Sequence, residues 1–272
     1  MSSQPLLPPL VEPEDLQPLL GSKDLLIIDL CNPALYQQMH VPGAIHVQPG
    51  ELVSGQPPAT GKLPALNQLE ALFGRIGYQP DQHIVVYDDE GGGWAGRFIW
   101  TLDLIGHTRW SYLNGGIRAW LEERFPLQST PAIPTPTTVS LSIDESPRVH
   151  AEQIITALGD DDTVIWDARS SAEYSGERTF SMRGGHIPGA INFEWTQTMD
   201  PARNFRLRTD LPETLTQLGI SPDKQIITHC QSHHRSGLTY LVARLLGYPS
   251  IKAYDGSWSE WGNRTDTPIE TA

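Results

Sequence analysis

Five short blocks recur in the same order in the two halves of this 272-residue chain. Leu25-Leu-Ile-Ile-Asp-Leu30 is answered by Thr163-Val-Ile-Trp-Asp-Ala168, and His40-Val-Pro-Gly-Ala-Ile-His46 by His186-Ile-Pro-Gly-Ala-Ile-Asn192. Ile84-Val-Val-Tyr-Asp88 is answered by Ile226-Ile-Thr-His-Cys230, and Leu104-Ile-Gly-His107 by Leu245-Leu-Gly-Tyr248. Leu113-Asn-Gly-Gly-Ile-Arg-Ala-Trp120 is answered by Tyr254-Asp-Gly-Ser-Trp-Ser-Glu-Trp261. The period is a whole domain, so the chain is a tandem duplication and not a solenoid of small repeats. Between the halves, Pro126, Pro131, Pro134, Pro136 and Pro147 stand among serines and threonines, a composition that suits an extended linker. The expected division is a first domain over 1–126, a linker over 127–148 and a second domain over 149–272.

Within each half, short β-branched runs alternate with stretches of helical spacing. In the second half the helices are expected at 152–158, 212–218 and 238–246, and the strands at 163–166 and 225–228. Such alternation requires crossover connections, and so predicts an α/β fold in which each domain is a parallel sheet covered by helices on both faces. In sheets of this kind ligands bind beyond the carboxyl ends of the strands. Cys230 stands at such an end.

The segment Gln225-Ile-Ile-Thr-His-Cys-Gln-Ser-His-His-Arg-Ser-Gly237 therefore reads as strand, tight loop and helix N-terminus. Backbone N–H groups converging there, with the positive end of the helix dipole, stabilise an anion and lower a thiol pKa from its usual ~8.5. Arg235 adds a fixed forked cation. The chemistry expected is a thiolate nucleophile facing an oxyanion-bearing substrate. A buried, inert cysteine is the ordinary alternative, but the residues after Cys230 hold no aliphatic anchor and are poor core material. In the first half the same loop reads Asp88-Asp-Glu-Gly-Gly-Gly-Trp94, which offers no thiol and repels an anion. That half is expected to be structural and non-catalytic, with Cys31 a structural thiol.

Charge and composition exclude several classes. Thirty-two acidic against 19 basic residues give a net charge of −13, unsuited to a general nucleic-acid or anionic-membrane surface. The N-terminus has no basic region or unbroken apolar core, so no secretory signal is expected, and no stretch reaches the ~18–20 apolar residues of a membrane span. Two cysteines form no disulfide framework, which fits a reducing cytoplasm.

These features together resemble the rhodanese family of tandem-domain sulfurtransferases. The resemblance covers roughly residues 10 to 265, and rests on the two His-x-Pro-Gly-Ala blocks, Asp167-Ala-Arg169, the Cys230 loop and the block at Asp255 to Trp258. It implies a cycle in which Cys230 takes a sulfane sulfur from a small anionic donor, forms a persulfide and passes the sulfur to cyanide, a thiol or a protein acceptor. Thiosulfate is the expected donor, with 3-mercaptopyruvate the alternative. No metal or organic cofactor is implied, and a monomer is the simplest assembly. Cys230 and Arg235 are the expected catalytic residues; Gln231, Ser232, His233, His234 and Ser236 would bind substrate from the loop. The sequence Gln231-Ser-His-His234 matches neither the basic loop of thiosulfate enzymes nor the small-residue loop of mercaptopyruvate enzymes.

Outside the loop, Arg178 or Arg183 could reach a donor's sulfonate or carboxylate, and Trp195 could wall the pocket. Asp167 and His186 recur as Asp29 and His40 in the half without the reactive loop, which favours structural roles. Two other functions compete. A cysteine-dependent phosphatase or arsenate reductase would use Cys-x5-Arg, but the spacing here is Cys-x4-Arg, a smaller cradle. A metal-binding module could use His229, Cys230, His233 and His234, but the chain lacks the second ligand knuckle that zinc sites draw on.

Overall fold

A computed structural model describes residues 5–271. Met1 to Gln4 and Ala272, which belong to the leader and domain-end expectations above, lie outside the described residues. The apolar runs form strands and the helical-period segments form helices. In chain order these are β1 (Leu10–Val11), α1 (Pro13–Leu16), β2 (Leu25–Asp29), α2 (Pro33–Gln38), β3 (Ile45–His46), α3 (Leu66–Arg75), β4 (His83–Tyr87), α4 (Gly93–Leu104), β5 (Trp110–Leu113) and α5 (Gly116–Glu122). The second half continues with α6 (Ala151–Ala157), β6 (Thr163–Asp167), α7 (Ser171–Ser175), β7 (Ile191–Asn192), β8 (Met199–Asp200), β9 (Arg206–Leu207), α8 (Leu211–Gln217), β10 (Gln225–His229), α9 (Arg235–Leu245), β11 (Ile251–Ala253) and α10 (Ser257–Trp261).

Two compact units are built from these elements, and each borrows a segment from the other half of the chain. The first holds the residues up to Leu52, Pro64–Asp144 and Met199–Leu207; the second holds Val53–Leu63, Glu145–Thr198 and the residues from Arg208 onward. A contiguous division of the chain does not express this exchange, because strand and helix signals say nothing about where a long loop docks.

The first unit's sheet has the order β1-β5-β4-β2-β3, and every adjacent pair is parallel. Ile27, Val85, Tyr87 and Leu113 pack with Leu16, Ile117 and Trp120 in one buried cluster. The borrowed hairpin β8–β9 is fixed within this unit through Arg206, whose guanidinium pairs with Glu12 at 2.8 Å and with Glu123. The second unit repeats the design with the order β11-β10-β6-β7, again all parallel. Ile165, Ile227, Tyr254, Trp258 and Trp261 form its buried cluster with Ile154 and Ile187. Parallel strands buried on both faces read as nearly continuous apolar runs, which is why β4 and β10 were legible in the sequence. In the second unit β10 lies between β6 and β11, so the residue leaving its carboxyl end emerges at the middle of the sheet edge. That residue is Cys230.

Observed helices α6 and α8 begin one residue before their expected starts, and α9 begins at Arg235 instead of 238. Apolar periodicity marks the buried face and is blind to a polar first turn. Residues 129–143 form neither helix nor strand. They run over the first unit, pinned by Thr137 N–H to Gly74 O (2.9 Å), Leu141 N–H to Glu70 Oε1 (3.1 Å) and the nearby Asp144 N–H to Leu104 O (2.7 Å). Among the described residues no helix is long and apolar enough to cross a membrane.

Residues 53–63 are tied into the second unit by the Lys62–Glu260 ion pair at 2.5 Å and by Leu63 N–H donating to the buried Asp255 carboxylate at 3.0 Å. A fragment spanning 149–272 is therefore expected to unfold on the order of 10 °C below the corresponding transition of the full chain, since one hydrogen bond to a buried charge contributes about 1.5–3 kcal/mol. Thermal unfolding followed by circular dichroism checks this, and matching transitions would refute it.

Candidate active site

The loop that leaves β10 is held from behind. Cys230 N–H donates to Ser257 Oγ at 3.3 Å, Trp258 N–H donates to Cys230 O at 2.9 Å, and Ser259 N–H donates to Gln231 O at 2.9 Å. With the loop's first carbonyls spent on the start of α10, the later amides turn inward. Those of Ser232 and Ser236 face Cys230 Sγ, and Ser236 Oγ lies 3.5 Å from it. Cys230 itself is fully buried. Burial by itself would raise the thiol pKa, but the Arg235 charge, the Ser236 hydroxyl and these two amides overcome it and hold the thiol below its ordinary value.

Ser257 has φ +52°, a left-handed conformation that non-glycine residues rarely adopt. The duplicate position is Gly116, at φ +57°, where a Cβ would meet Asp88 O at 2.2 Å. The same sharp turn thus occurs in both units, but only the second places there a hydroxyl that accepts from the loop. Backbone strain is retained where it orients the thiol.

Arg235 opens α9, where a cation is disfavoured by the helix dipole. A buried carboxylate compensates. Glu173 takes the guanidinium in a two-point contact at 2.6 and 2.8 Å. Burial would raise the Glu173 carboxyl, but Arg235 and Ser170 keep it below its usual range. Behind the loop, Asp167 accepts from Arg169 Nε (3.0 Å) and from its terminal nitrogen (2.6 Å), and Arg169 lies over the Trp258 ring with its guanidinium carbon 4.3 Å from the centroid. Burial opposes the Asp167 carboxylate; His229 and Arg169 overcome it, and the carboxyl pKa falls. Burial lowers the pKa of His229, whose Nε2 lies 3.6 Å from Asp167. Asp167 and Arg169 form a buried ion pair, and both His40 and His186 bond a backbone carbonyl and stack on a tyrosine.

The other expected residues divide. His233 is buried with φ +55° and its Nδ1 2.7 Å from Ser236 Oγ. His234 meets Trp195, with ring centroids 5.6 Å apart, so the structure brings Trp195 to the loop. Gln231 donates to Ser181 Oγ at 3.3 Å. Arg183 is committed elsewhere: its guanidinium bonds Thr267 O at 2.9 Å and Trp261 O at 3.0 Å, clamping the C-terminal segment. Arg178 is exposed and stacks on Phe180 at 4.7 Å. Of the two arginines only Arg178 stands in solvent, and a backbone clamp explains Arg183. Among the described residues, no group of three or more His, Cys, Asp or Glu is placed to hold a metal.

Three further residues shape the loop or orient its arginine. Glu173 could have been found from the capping-box spacing Ser170-x-x-Glu173, which follows Arg169 directly. Ser257 stands inside the repeat block Tyr254 to Trp261, with no local signal for its role. Gly61 had none: it packs on Ser232 so closely that a Cβ would lie 2.0 Å from Ser232 O.

The duplicate loop of the first unit shows what became of the second cradle. Asp88 Oδ1 accepts from the amides of Glu90 (3.2 Å), Gly91 (3.1 Å) and Gly92 (2.8 Å), and Oδ2 from Ala95 (3.0 Å). The loop's own carboxylate fills the anion site. Burial, with Glu90 nearby, raises the Asp88 pKa to about 6. Cys31 is buried, and burial together with Asp29, Asp89 and Asp88 pushes its pKa well up.

The rhodanese-like domain model matches residues 12–123 and 150–264. Thiosulfate sulfurtransferase of Azotobacter vinelandii is 54% identical over 264 residues, spanning 97% of each chain, and that of Pseudomonas aeruginosa is 53% identical with the same coverage. Among solved structures, wild-type EanB superposes with a TM-score of 0.85 at 21% identity, covering 97% of this chain and 69% of its own, a likeness of fold.

Substituting Gly61→Ala is expected to displace the Ser232 backbone and move the thiolate titration of Cys230, read by ultraviolet absorbance, to higher pH. An unmoved titration in a normally folded variant would show that the loop does not depend on Gly61.

Proposed function

Because the chain belongs to the rhodanese family, we infer that it is a sulfurtransferase that moves the sulfane sulfur of thiosulfate to a thiophilic acceptor through a persulfide on Cys230. The observation that carries this reading is a buried cysteine at the centre of a parallel sheet edge, faced by two amides and a hydroxyl, with its pKa lowered against the effect of burial. The names of the two relatives at 54% and 53% identity support thiosulfate as the donor class.

The cycle balances without a redox partner or a metal. The Cys230 thiolate attacks the outer sulfur of thiosulfate, the donor's S–S bond breaks, and sulfite leaves with the bonding pair. The persulfide that remains is an anion, and the loop amides and the dipole of α9 stabilise it. Cyanide or a thiol then attacks the terminal sulfur, and the electron pair returns to Sγ. Arg235, oriented by Glu173, supplies the positive charge that the thiolate and the incoming dianion require. Of the neighbouring side chains, Gln231, Ser232, His234 and Trp195 fit a role in shaping the donor site, and Arg178 fits a cation at its rim. We assign the first domain, over 1–126, a non-catalytic role, since its cradle is occupied by Asp88; residues 127–148 connect it to the catalytic domain over 149–272. The cytoplasm and a monomeric state complete the proposal.

Intact-mass analysis tests it directly. Incubation with thiosulfate is expected to add about one sulfur mass to the protein, reversed by cyanide, in the parent and in Cys31→Ala, and to add nothing to Cys230→Ala. Loading of the Cys230→Ala protein would overturn the assignment, and faster loading from 3-mercaptopyruvate would change the donor. Because Arg235 holds the Cys230 pKa down, Arg235→Ala is expected to shift the pH–rate profile for loading to higher pH and to raise KM for thiosulfate roughly tenfold or more. An unchanged profile and KM would remove Arg235 from the mechanism.

A further inference from the structure

Ser236 Oγ stands between two buried groups, 2.7 Å from His233 Nδ1 and 3.5 Å from Cys230 Sγ. A hydroxyl carries one proton, and a thiolate can only accept. If the hydroxyl proton points to the sulfur, the oxygen must take its own hydrogen bond from the other side, and His233 Nδ1–H is the group positioned to give it. The opposite sense would turn the hydroxyl proton to the imidazole and present an oxygen lone pair to an anionic sulfur, which is repulsive. The order Nδ1–H to Oγ–H to Sγ is thus set by electrostatics once the sulfur is charged.

The backbone supports the same arrangement. His233 sits at φ +55°, a left-handed conformation that Asn, Asp and His adopt more readily than other residues with a Cβ. The left-handed turn accompanies a ring that is buried beside Ser236. Ser236 lies in the first turn of α9, and its carbonyl accepts from Thr239 Oγ1 at 3.2 Å.

We propose that His233 is a positioning residue for sulfur transfer: its Nδ1–H holds the Ser236 hydroxyl as an acceptor, so that the hydroxyl proton is directed at Cys230 Sγ. The proposal rests on the reading of Cys230 as the reacting sulfur. The hydroxyl then acts in both half-reactions, favouring the thiolate that attacks the donor and receiving the thiolate that re-forms when the acceptor breaks the persulfide S–S bond. No proton changes owner in either step. The charged group coupled to this sulfur is Arg235, with its partner Glu173, and the Asp167, Arg169 and His229 group lies behind the loop. None is altered in the variants below.

Four proteins make the test: the parent, Ser236→Ala, His233→Gly and His233→Asn. Glycine accepts the left-handed backbone and removes the donor. Asparagine also accepts it, and its side-chain N–H stands close to where the imidazole Nδ1–H was. Ser236→Ala and His233→Gly are expected to move the thiolate absorbance titration of Cys230 to higher pH and to lower kcat with thiosulfate and cyanide about tenfold, leaving KM for thiosulfate nearly unchanged. His233→Asn is expected to restore both. A purely structural histidine would change the melting temperature without moving the titration, and that result would overturn the proposal. So would a His233→Asn protein that behaves like His233→Gly. The titration is read without any donor, so its failure to move is distinguishable from a parent protein that transfers no sulfur.

Discussion

An anionic sulfur with no exposure to solvent is stable only where fixed donors replace the water it has lost. At Cys230 those donors are the amides of Ser232 and Ser236 and the Ser236 hydroxyl, with the charge of Arg235 close by. They converge because the loop's outward groups are already engaged. Trp258 and Ser259 take the carbonyls of Cys230 and Gln231, and Ser257 takes the Cys230 amide. The Cys230 loop is therefore as well defined as the start of α10, which in turn rests on the buried cluster of Tyr254, Trp258 and Trp261. Packing of the second unit and chemistry at its edge share one set of residues.

The duplicated loops differ chiefly in the residue that follows the strand and in what the loop amides face. Both follow the central strand of a parallel sheet, and both are braced by a left-handed turn, at Gly116 in one unit and Ser257 in the other. In the second unit the residue after the strand is a thiol, and amides are available to it. In the first it is Asp88, whose carboxylate accepts three N–H groups of its own loop and one from the first turn of α4. A site filled by a covalently attached anion cannot hold a second one, because desolvation and like-charge repulsion would both oppose it. The raised Asp88 pKa is the electrostatic trace of that burial.

Buried and half-buried cations in the second unit are assigned to distinct tasks by geometry. Arg169 is sealed onto Asp167 and the face of Trp258, and removing it would leave an uncompensated buried carboxylate at a cost of about 3–5 kcal/mol. Arg183 is consumed by carbonyls of the C-terminal segment. Arg235 alone among these three has its charge coupled to the sulfur, and it opens a helix whose dipole disfavours it, a conflict that Glu173 offsets.

Duplication, the parallel α/β character of each domain, the strand that ends at Cys230 and the choice of that cysteine as the candidate nucleophile are all legible in the amino-acid sequence. These rest on local regularities: β-branched runs, helical spacing, and a polar loop at a strand end. The start of α9 lies three residues before the first residue of its apolar period, since its first turn is polar. Tertiary structure alone decided which long-range partners complete the site. Gly61 packs on Ser232, Glu173 orients Arg235, Arg183 becomes a backbone clamp, and residues 53–63 and 199–207 join the units of the opposite halves. Such contacts depend on the docking of loops that are distant in sequence, and no periodicity or local propensity encodes them.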